Sequence, residues 1–259
     1  LSDITFVGNI LDKADYLYFA QSPNVTYNRW NLTQNLMVSS SYAIYLNPNT
    51  IFNLSDSVFS SNEIGTSTTS GWLIYSKDTG TIYLNRATIT DTTLTRGEII
   101  YAGLSSQIHI DNSIIRGTTI GNVASWKYHI RVSTDSIMTI NNTIITEISA
   151  SDYARIIDVN TNGILILNNI TYSYARMINS ISDLFFVYLY ANSKAYLTNS
   201  VLENNYADST SKKSNYFYAP SEVGLYVNNV QMSNNTFSGT SYFARMTQMN
   251  TLVFDGVQI

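Results

Sequence analysis

Cysteine is absent from the 259-residue sequence, and this absence excludes disulfide bonds and thiolate metal sites. A chain of this length buries a sufficient core without covalent cross-links, so the absence leaves the cellular compartment open. The sequence also lacks a glycine-rich phosphate loop, a calcium-binding GGxGxD repeat and a zinc-binding HExxH motif. We therefore expect no cofactor and no metal site.

Charge is also sparse. Charged residues make up 12% of the sequence, with 14 Lys and Arg against 18 Asp and Glu and a net charge of −4. A nucleic-acid-binding surface needs a basic stripe, so this balance argues against a nucleic-acid partner. No run of 18 apolar residues occurs, and we expect no membrane span. The remaining composition is rich in Asn, Ser and Thr and includes 20 tyrosines.

The stretch 107–116 (QIHIDNSIIR) recurs along the chain as a sequence pattern. The pattern is apolar-x-apolar, followed by small polar residues and then by a second apolar pair. We align the copies on the apolar residue that precedes the polar pair. The aligned residues are Tyr27, Leu54, Leu84, Ile110, Ile140, Leu167, Leu197, Val227 and Phe254. Their spacing is 26–30 residues, with a mean of about 28, and a fixed period of this size indicates a solenoid.

A second figure, an apolar and tyrosine-rich run, lies between the aligned residues and keeps a similar period. Its copies are 16–20, 43–46, 72–76, 98–102, 128–132, 155–159, 184–190, 216–219 and 242–246. Because two independent figures share one period, we assign residues 1–259 to a single domain.

The apolar runs are short and rich in Ile, Val, Tyr, Phe and Thr, which favour strands. Ile82 and Leu84 alternate with Tyr83, so the first two point inward and the third outward. We predict a parallel β-solenoid with three short strands per coil and about nine to ten coils. In one coil the expected strands are 81–85, 88–89 and 98–102. A leucine-rich repeat is the alternative, but here Asn directly follows the strand, and Ile and Tyr replace Leu.

A polar position two residues after the aligned one is asparagine in five consecutive coils: Asn112, Asn142, Asn169, Asn199 and Asn229. Asparagine tolerates left-handed backbone, and its amide can bond its counterpart in the next coil. With this pattern the chain resembles the right-handed parallel β-helix of the pectate-lyase-like superfamily, which carries such an asparagine ladder at a tight turn. The resemblance is one of architecture and covers the whole chain. The ladder is interrupted at Arg29, Asp56, Arg86 and Gly256.

The resemblance also implies what an active site would contain. Pectate-lyase-like enzymes use a Ca²⁺-holding Asp cluster with an Arg base, and polygalacturonase-like enzymes use several Asp with a His and a basic pair. The outward residue before each aligned position is never a carboxylate: Thr26, Asn53, Tyr83, His109, Thr139, Ile166, Tyr196, Tyr226 and Val253. The turn residues Asp56, Asp111 and Asp255 belong to distant coils. We therefore expect no catalytic residues.

The remaining basic side chains have simpler interpretations. His109 and His129 both fall at outward positions by alternation, and we predict that both lie on the surface. Arg155, Arg176 and Arg245 each follow an aromatic-Ala pair, and we expect their stems to cover apolar surface.

Outward tyrosines and sequons are the candidate surface features. Tyr83, Tyr196 and Tyr226 form a candidate surface for glycans or a partner, because aromatic columns stack on sugars and anchor interfaces. The candidate glycosylation sites are Asn24, Asn31, Asn53, Asn141 and Asn234. Among them we expect Asn24 and Asn53 to be the best acceptors. The sixth sequon, at Asn169, lies in the ladder, and we expect it to be inaccessible.

These patterns predict a non-enzymatic structural or adhesive β-helix of a large extracellular or cell-surface protein, or a filament subunit. The alternative is a polysaccharide-binding module, or a polysaccharide lyase or hydrolase with the same fold. Strand-like sequence at 4–7 and 251–259 carries no capping residues, so we expect a segment of a longer chain. Its expected partners are further coils of the same chain or identical subunits joined end to end, together with glycans.

Overall fold

A computed structural model describes residues 2–19, 24–39, 41–66, 68–120, 127–151, 154–179, 184–209, 214–239, 242–248 and 251–258. Within these ranges the chain forms strands and turns without a helix, and therefore without a helix long and apolar enough to cross a membrane. The strands form three parallel sheets that stack as a β-helix, as the sequence predicted.

Sheet A has 15 strands and contains both sides of the asparagine turn. Its strands are Ser2–Val7, Asn24–Thr33, Ile51–Ser55, Val58–Ser60, Thr81–Asn85, Thr88–Thr90, Gln107–Asp111, Ile114–Arg116, Ile137–Asn141, Ile144–Thr146, Ile164–Asn168, Thr171–Ser173, Lys194–Glu203, Gly224–Ser233 and Thr251–Asp255. Strands that run through the turn, such as Lys194–Glu203, join the two sides into one sheet.

Sheets B and C have nine strands each. The strands of sheet B are Ile10–Asp12, Leu36–Val38, Glu63–Ile64, Thr93–Leu94, Thr119–Ile120, Ser149–Ser151, Arg176–Asn179, Tyr206–Ser209 and Thr236–Gly239. The strands of sheet C are Asp15–Phe19, Ser41–Leu46, Gly71–Asp78, Gly97–Leu104, Lys127–Val132, Ala154–Val159, Leu184–Leu189, Ser214–Ala219 and Tyr242–Met246.

Two details differ from the sequence prediction. The nine strands of each small sheet are separated by eight steps along the rod. The structure therefore has about eight turns of roughly 27 residues, slightly fewer than the expected nine to ten coils. Each coil also contains a short strand that the sequence analysis missed, such as Thr93–Leu94, which forms sheet B. Segments of two to four residues are too short to show a periodic apolar pattern.

The aligned apolar residues form one buried column in sheet A. Each pairs with its counterpart one coil away, from Tyr27 opposite Leu54 to Val227 opposite Phe254. All are buried except Phe254, which is 45% exposed because no described strand covers its outer side. Burying an aliphatic side chain stabilises by roughly 1.5–3 kcal/mol, so this column is a main contributor to folding.

The asparagine turn is left-handed in every coil. The five ladder asparagines have φ of 49–51°, and Arg29, Asp56 and Arg86 have φ of 53° at the same position. Asn169 Nδ2 donates to Asn142 Oδ1 at 2.8 Å, and Asn229 Nδ2 donates to Asn199 Oδ1 at 2.9 Å. The side-chain hydrogen bonds compensate for the strain of the left-handed backbone.

In the other three coils the ladder amide donates to the residue that precedes the equivalent turn position. The acceptors are Asn85 for Asn112, Asp111 for Asn142 and Asn168 for Asn199. Where the sequence interrupts the ladder, Arg86 Nε and Nη2 donate to the two carboxylate oxygens of Asp56 at 2.6 and 2.8 Å. An ion pair therefore continues the stack that the sequence analysis considered broken.

A second polar ladder is buried inside the corner between sheets A and B. Asn35 Nδ2 donates to Asn62 Oδ1 at 3.1 Å, and Asn62 Nδ2 donates to the Leu32 carbonyl at 2.9 Å. Asn205 repeats the arrangement further along the rod, donating to the Tyr172 carbonyl and to Asn235 Oδ1. These amides satisfy backbone carbonyls that the corner removes from sheet pairing.

The core column yields a direct stability prediction. Replacing Ile140 with Asp places an unpaired charge in the continuous core, so we expect the variant to show no cooperative thermal unfolding by circular dichroism. Ile144→Asp is the matched control, since Ile144 lies in the same coil and sheet but is 43% exposed. A cooperatively folded Ile140→Asp variant would contradict the assignment of the column.

Candidate functional site

Sheet C presents two columns of side chains on its outer face. In Gly71–Asp78 the side chains of Trp72 and Tyr75 point outward, and Leu73 and Ile74 between them are both buried. In the pairing with Gly97–Leu104, Trp72 lies opposite Glu98 and Ile74 lies opposite Ile100. Leu73 and Ile74 are therefore two inward residues in succession. The outward positions are therefore three residues apart, and strict alternation does not hold in this sheet.

The pairing aligns the outward side chains of successive coils. The first column contains Asp15, Tyr42, Trp72, Glu98, Tyr128 and Arg155. The second column contains Tyr18, Tyr45, Tyr75, Tyr101, Arg131, Asp158, Tyr188, Tyr218 and Arg245. Together these two columns are called the sheet C face below.

Four tyrosines at the start of the second column stack on one another. The ring centroids of Tyr18 and Tyr45 are 5.2 Å apart, those of Tyr45 and Tyr75 are 5.3 Å apart, and those of Tyr75 and Tyr101 are 4.8 Å apart. Interplanar angles of 14–16° keep the rings nearly parallel. Since the ring faces contact each other, the stack presents ring edges and hydroxyl groups to the outside.

The charged centre of the face is a cluster of two arginines and two carboxylates. Arg155 Nη1 donates to Asp158 Oδ1 at 2.6 Å and to the Tyr190 hydroxyl at 2.7 Å. Arg131 lies between the two acids, with Nη1 3.5 Å from Glu98 Oε1 and Nε 3.6 Å from Asp158 Oδ2. Both distances exceed those of good hydrogen bonds, so Arg131 is held electrostatically.

Aromatic rings surround both guanidinium groups. The Arg131 Cζ atom lies 4.6 Å from the ring centroid of Tyr128, and the Arg155 Cζ atom lies 3.6 Å from that of Tyr188. Such cation–π contacts orient the flat guanidinium groups and exclude water from one side of each.

The exposed part of the cluster is cationic. The Arg131 side chain is 31% exposed, whereas the side chains of Glu98 and Asp158 are 8% and 0% exposed. Glu98 Oε2, Asp158 Oδ2 and Arg131 Nε are buried and make no hydrogen bond within the described part of the chain. A ligand with an acceptor oxygen could satisfy donors of the half-exposed Arg131, which presents a planar fork.

Burial shifts the acid–base properties of the cluster. Burial raises the pKa of Glu98 to about 6, although Arg131 and Trp72 oppose the shift. Burial likewise raises the pKa of Asp158, against the effect of Arg155. Burial also raises the pKa of Tyr128 and of Tyr188 to about 12, so both phenols stay protonated at neutral pH and can donate hydrogen bonds.

The outward residues of the first strand of each coil do not reveal this cluster, because its members lie on sheet C. The Arg155 stem was expected to cover apolar surface, but the Arg155 side chain is 5% exposed and ion-paired. The predicted surface position of His129 is wrong. His129 is 1% exposed because it occupies the extra inward position of its strand, and burial lowers its pKa to about 3.

The predicted aromatic surface lies elsewhere, on sheet A. Tyr83 stacks on His109 with centroids 4.7 Å apart, and both line a depression of about 460 Å³. Tyr196 stacks on Tyr226 at 4.8 Å, and Tyr226 lines a second depression of about 440 Å³. Two coils lie between the Tyr83–His109 pair and the Tyr196–Tyr226 pair. The structure therefore does not bring these tyrosines together.

The sequons are not equally accessible. Asn24, Asn31 and Asn234 are exposed, while Asn53 and Asn141 are half-buried. Asn53 Nδ2 donates to Asn24 Oδ1 at 3.0 Å, so the two expected acceptors contact each other. Asn169 is exposed, and its expected inaccessibility is wrong because the ladder runs along the outside of the turn.

A metal centre requires several clustered ligands. Among the described residues, no group of three or more His, Asp and Glu is placed to hold a metal ion.

Comparisons with known proteins give distant likenesses to solved structures. No family model and no curated protein matches the chain. An alginate lyase from Paenibacillus sp. is 12% identical, with 93% of this chain and 99% of that chain covered and a TM-score of 0.32. The pentapeptide repeat protein HetL from the cyanobacterium Nostoc is 10% identical, with coverage of 95% and 90% and a TM-score of 0.25.

A tailspike protein of the Acinetobacter baumannii bacteriophage Fri1, a capsular polysaccharide depolymerase, is 9% identical. The match covers 91% of this chain and 57% of that chain, with a TM-score of 0.29. At these scores the likenesses carry no argument about the function of this chain.

The buried carboxyl of Glu98 yields a pH prediction. Its pKa is about 6 in the folded protein against an ordinary value of 4.5, so the folded state binds the proton more tightly. The resulting stabilisation is present below pH 4.5 and is lost as the pH rises through 6. Between these limits wild type should lose about 2 kcal/mol of unfolding free energy that Glu98→Gln does not lose.

Urea unfolding at a series of pH values measures this difference. Glu63→Gln is the control, because Glu63 is an exposed carboxylate on sheet B. Its unfolding free energy should follow that of wild type through the same pH range. Parallel curves for wild type and Glu98→Gln would contradict the perturbed environment of Glu98.

Proposed function

We propose that this β-helix binds an acidic polysaccharide along the sheet C face. The observation that carries the proposal is the half-exposed Arg131, held between buried Glu98 and Asp158 and flanked by rows of tyrosines. The proposal concerns binding and does not include cleavage of the ligand.

The repeat of the fold supports a linear, repeating ligand. Parallel pairing places equivalent side chains about 4.8 Å apart along the axis, so hydroxyl and guanidinium groups recur at a regular distance. The tyrosines are already stacked, and little side-chain entropy is lost when a ligand contacts them. Regular, rigid hydrogen-bonding groups suit a polymer of similar units.

The distribution of charge supports an acidic ligand. The carboxylates are buried behind the arginines, so a ligand approaching the centre meets the fork of Arg131 before it meets Glu98 or Asp158. A guanidinium binds a carboxylate or sulfate through two parallel hydrogen bonds. Further along the second column, Arg245 lies over the Tyr218 ring at 5.5 Å and extends the cationic character of the face.

The proposal favours the polysaccharide-binding alternative over a purely structural role. Polysaccharides are the class of ligand to test, because a linear polymer with hydroxyl and acidic groups matches the repeated tyrosine hydroxyls and the Arg131 fork. An extracellular or cell-surface location forms part of the proposal, since such polymers are encountered there.

Binding is measured by affinity electrophoresis and calorimetry with alginate and polygalacturonate, with neutral dextran as the comparison polymer. Arg131→Lys keeps the charge but loses the planar fork, and we expect roughly tenfold weaker binding to the acidic polymer. Tyr101→Ala removes the ring beside Arg131 and should weaken binding by a similar factor.

The matched control is Tyr206→Ala, which removes a half-exposed tyrosine from sheet B. It should bind as wild type does. If wild type binds neither acidic polymer, or if the control loses as much affinity as Arg131→Lys, the proposal is wrong.

A structural role is the second candidate, favoured by exposed apolar side chains on the last described strand. Leu252, Val253 and Phe254 are 45%, 42% and 45% exposed, whereas the equivalent residues one coil earlier are buried or half-buried. At the other end Val7 is 52% exposed. Uncovered strand edges pair readily with another chain, and a head-to-tail contact would form a filament.

The 259-residue chain should therefore associate through its ends in a concentration-dependent manner. A lysine at each end, in a Val7→Lys/Phe254→Lys variant, should suppress association in sedimentation velocity experiments. Val58→Lys is the control, because Val58 is a similarly exposed residue on a strand that is paired on both sides. A wild-type chain that stays monomeric at high concentration contradicts this second candidate.

A further inference from the structure

The depression beside Tyr83 and His109 on sheet A arises from the sizes of four stacked side chains. The column runs Asn53, Tyr83, His109 and Thr139 in successive coils. Two large flat rings thus lie between two smaller side chains. The rings stack with an interplanar angle of 11°, and Tyr83 remains 40% exposed. Tyrosine is longer than asparagine, so Asn53 leaves the outer part of the Tyr83 ring uncovered, and both rings line the depression of about 460 Å³.

Polar groups line the same depression beside the rings. Asn85, Asp111 and Asn141 follow the outward column by two positions, and their side chains contribute to its wall. Neighbouring ladder residues hold two of them, since Asn112 Nδ2 donates to Asn85 Oδ1 and Asn142 Nδ2 donates to Asp111 Oδ1. Amide and carboxylate groups held beside a flat aromatic pair match a ligand with an apolar ring face and a rim of hydroxyl groups.

We propose that the Tyr83–His109 pair is a second saccharide site, which takes a neutral pyranose sugar packed on the uncovered part of the Tyr83 ring. The sugar lies in the depression beside the column, and its hydroxyl groups meet Asn85, Asp111 and Asn141. This site lies on sheet A and uses none of the residues of the sheet C face. The two sites are therefore independent, and a chain with both can hold two glycan chains on different faces.

The charge around the pair favours a neutral ligand over an acidic one. Asp111 is the charged residue in the wall of the depression, and its carboxylate repels an anion. Burial lowers the pKa of His109, so its imidazole is uncharged at neutral pH and supplies no cation. The two faces thus differ in the class of sugar that each accepts.

His109 itself provides the local probe, because the sequence contains two histidines and the other, His129, is buried in the core. The imidazole C–H signals of His109 can be followed by NMR while neutral mono- and disaccharides are added. The panel contains glucose, galactose, mannose, N-acetylglucosamine, maltose and cellobiose, each up to its solubility limit. We expect at least one of them to shift the His109 signals saturably and to leave those of His129 unchanged.

Variants separate stacking from other effects. Tyr83→Ala should weaken the titrated affinity roughly tenfold, and Tyr83→Phe, which keeps the ring, should bind within about twofold of wild type. Tyr206→Ala serves as the control on sheet B. Arg131→Lys should leave the His109 titration unchanged, so failure of the sheet C proposal and failure of this one are distinguishable.

Three results would overturn the inference. The first is the absence of a His109 shift with every sugar of the panel, and the second is equal affinity of Tyr83→Ala and wild type. The third is a shift produced by glucuronate, added as the acidic comparison sugar, when no neutral sugar produces one. The last result would mean that the pair binds an acidic sugar, contrary to the assigned class.

Discussion

Backbone hydrogen bonding between successive coils is the constraint on which the rest of this structure depends. Between the first and the last described strands of each sheet, every strand pairs in parallel with the strand one coil earlier and one coil later, and the register is kept from coil to coil. Every side chain therefore stacks on the equivalent side chain of the next coil. Like residues form columns, so aliphatic columns become the core, amide columns become ladders and aromatic columns become stacked rows.

The constraint explains why so much of the fold could be predicted from the sequence. A register that repeats produces a period, and the aligned residues from Tyr27 to Phe254 follow it and pair as expected. The turn asparagines were visible for the same reason, since only a few residue types tolerate left-handed backbone at one recurring position. The Arg86–Asp56 pair was missed because an ion pair preserves the stack without preserving the residue type.

The sheet C face could not be predicted by the same reasoning. Strict alternation fails where a strand carries two inward residues in succession, and this placed His129 outside instead of in the core. Glu98 and Asp158 lie in different columns and are bridged by Arg131, so no single column of the alignment shows them together. On sheet A alternation holds, and Tyr83 was correctly placed outside.

The charged cluster is costly for the fold, and a bound ligand is the reason that we propose for its presence. Buried ion pairs often stabilise less than apolar residues of similar volume, and here buried atoms of the cluster, among them Glu98 Oε2 and Asp158 Oδ2, make no hydrogen bond in the described chain. The β-helix does not need charged residues at these positions, because stacked tyrosines fill the same column in the neighbouring coils. An anionic ligand at the exposed side of Arg131 would add a favourable interaction to the cluster without reaching these buried atoms. The central claim is therefore that the sheet C face is a binding surface.

The most direct test is a crystal structure of the protein with an acidic oligosaccharide. The account predicts sugar units aligned along the tyrosine rows, with an anionic group within hydrogen-bonding distance of the Arg131 guanidinium. A ligand bound elsewhere, with Arg131 contacting only Glu98 and Asp158 and the sheet C face unoccupied, would contradict it.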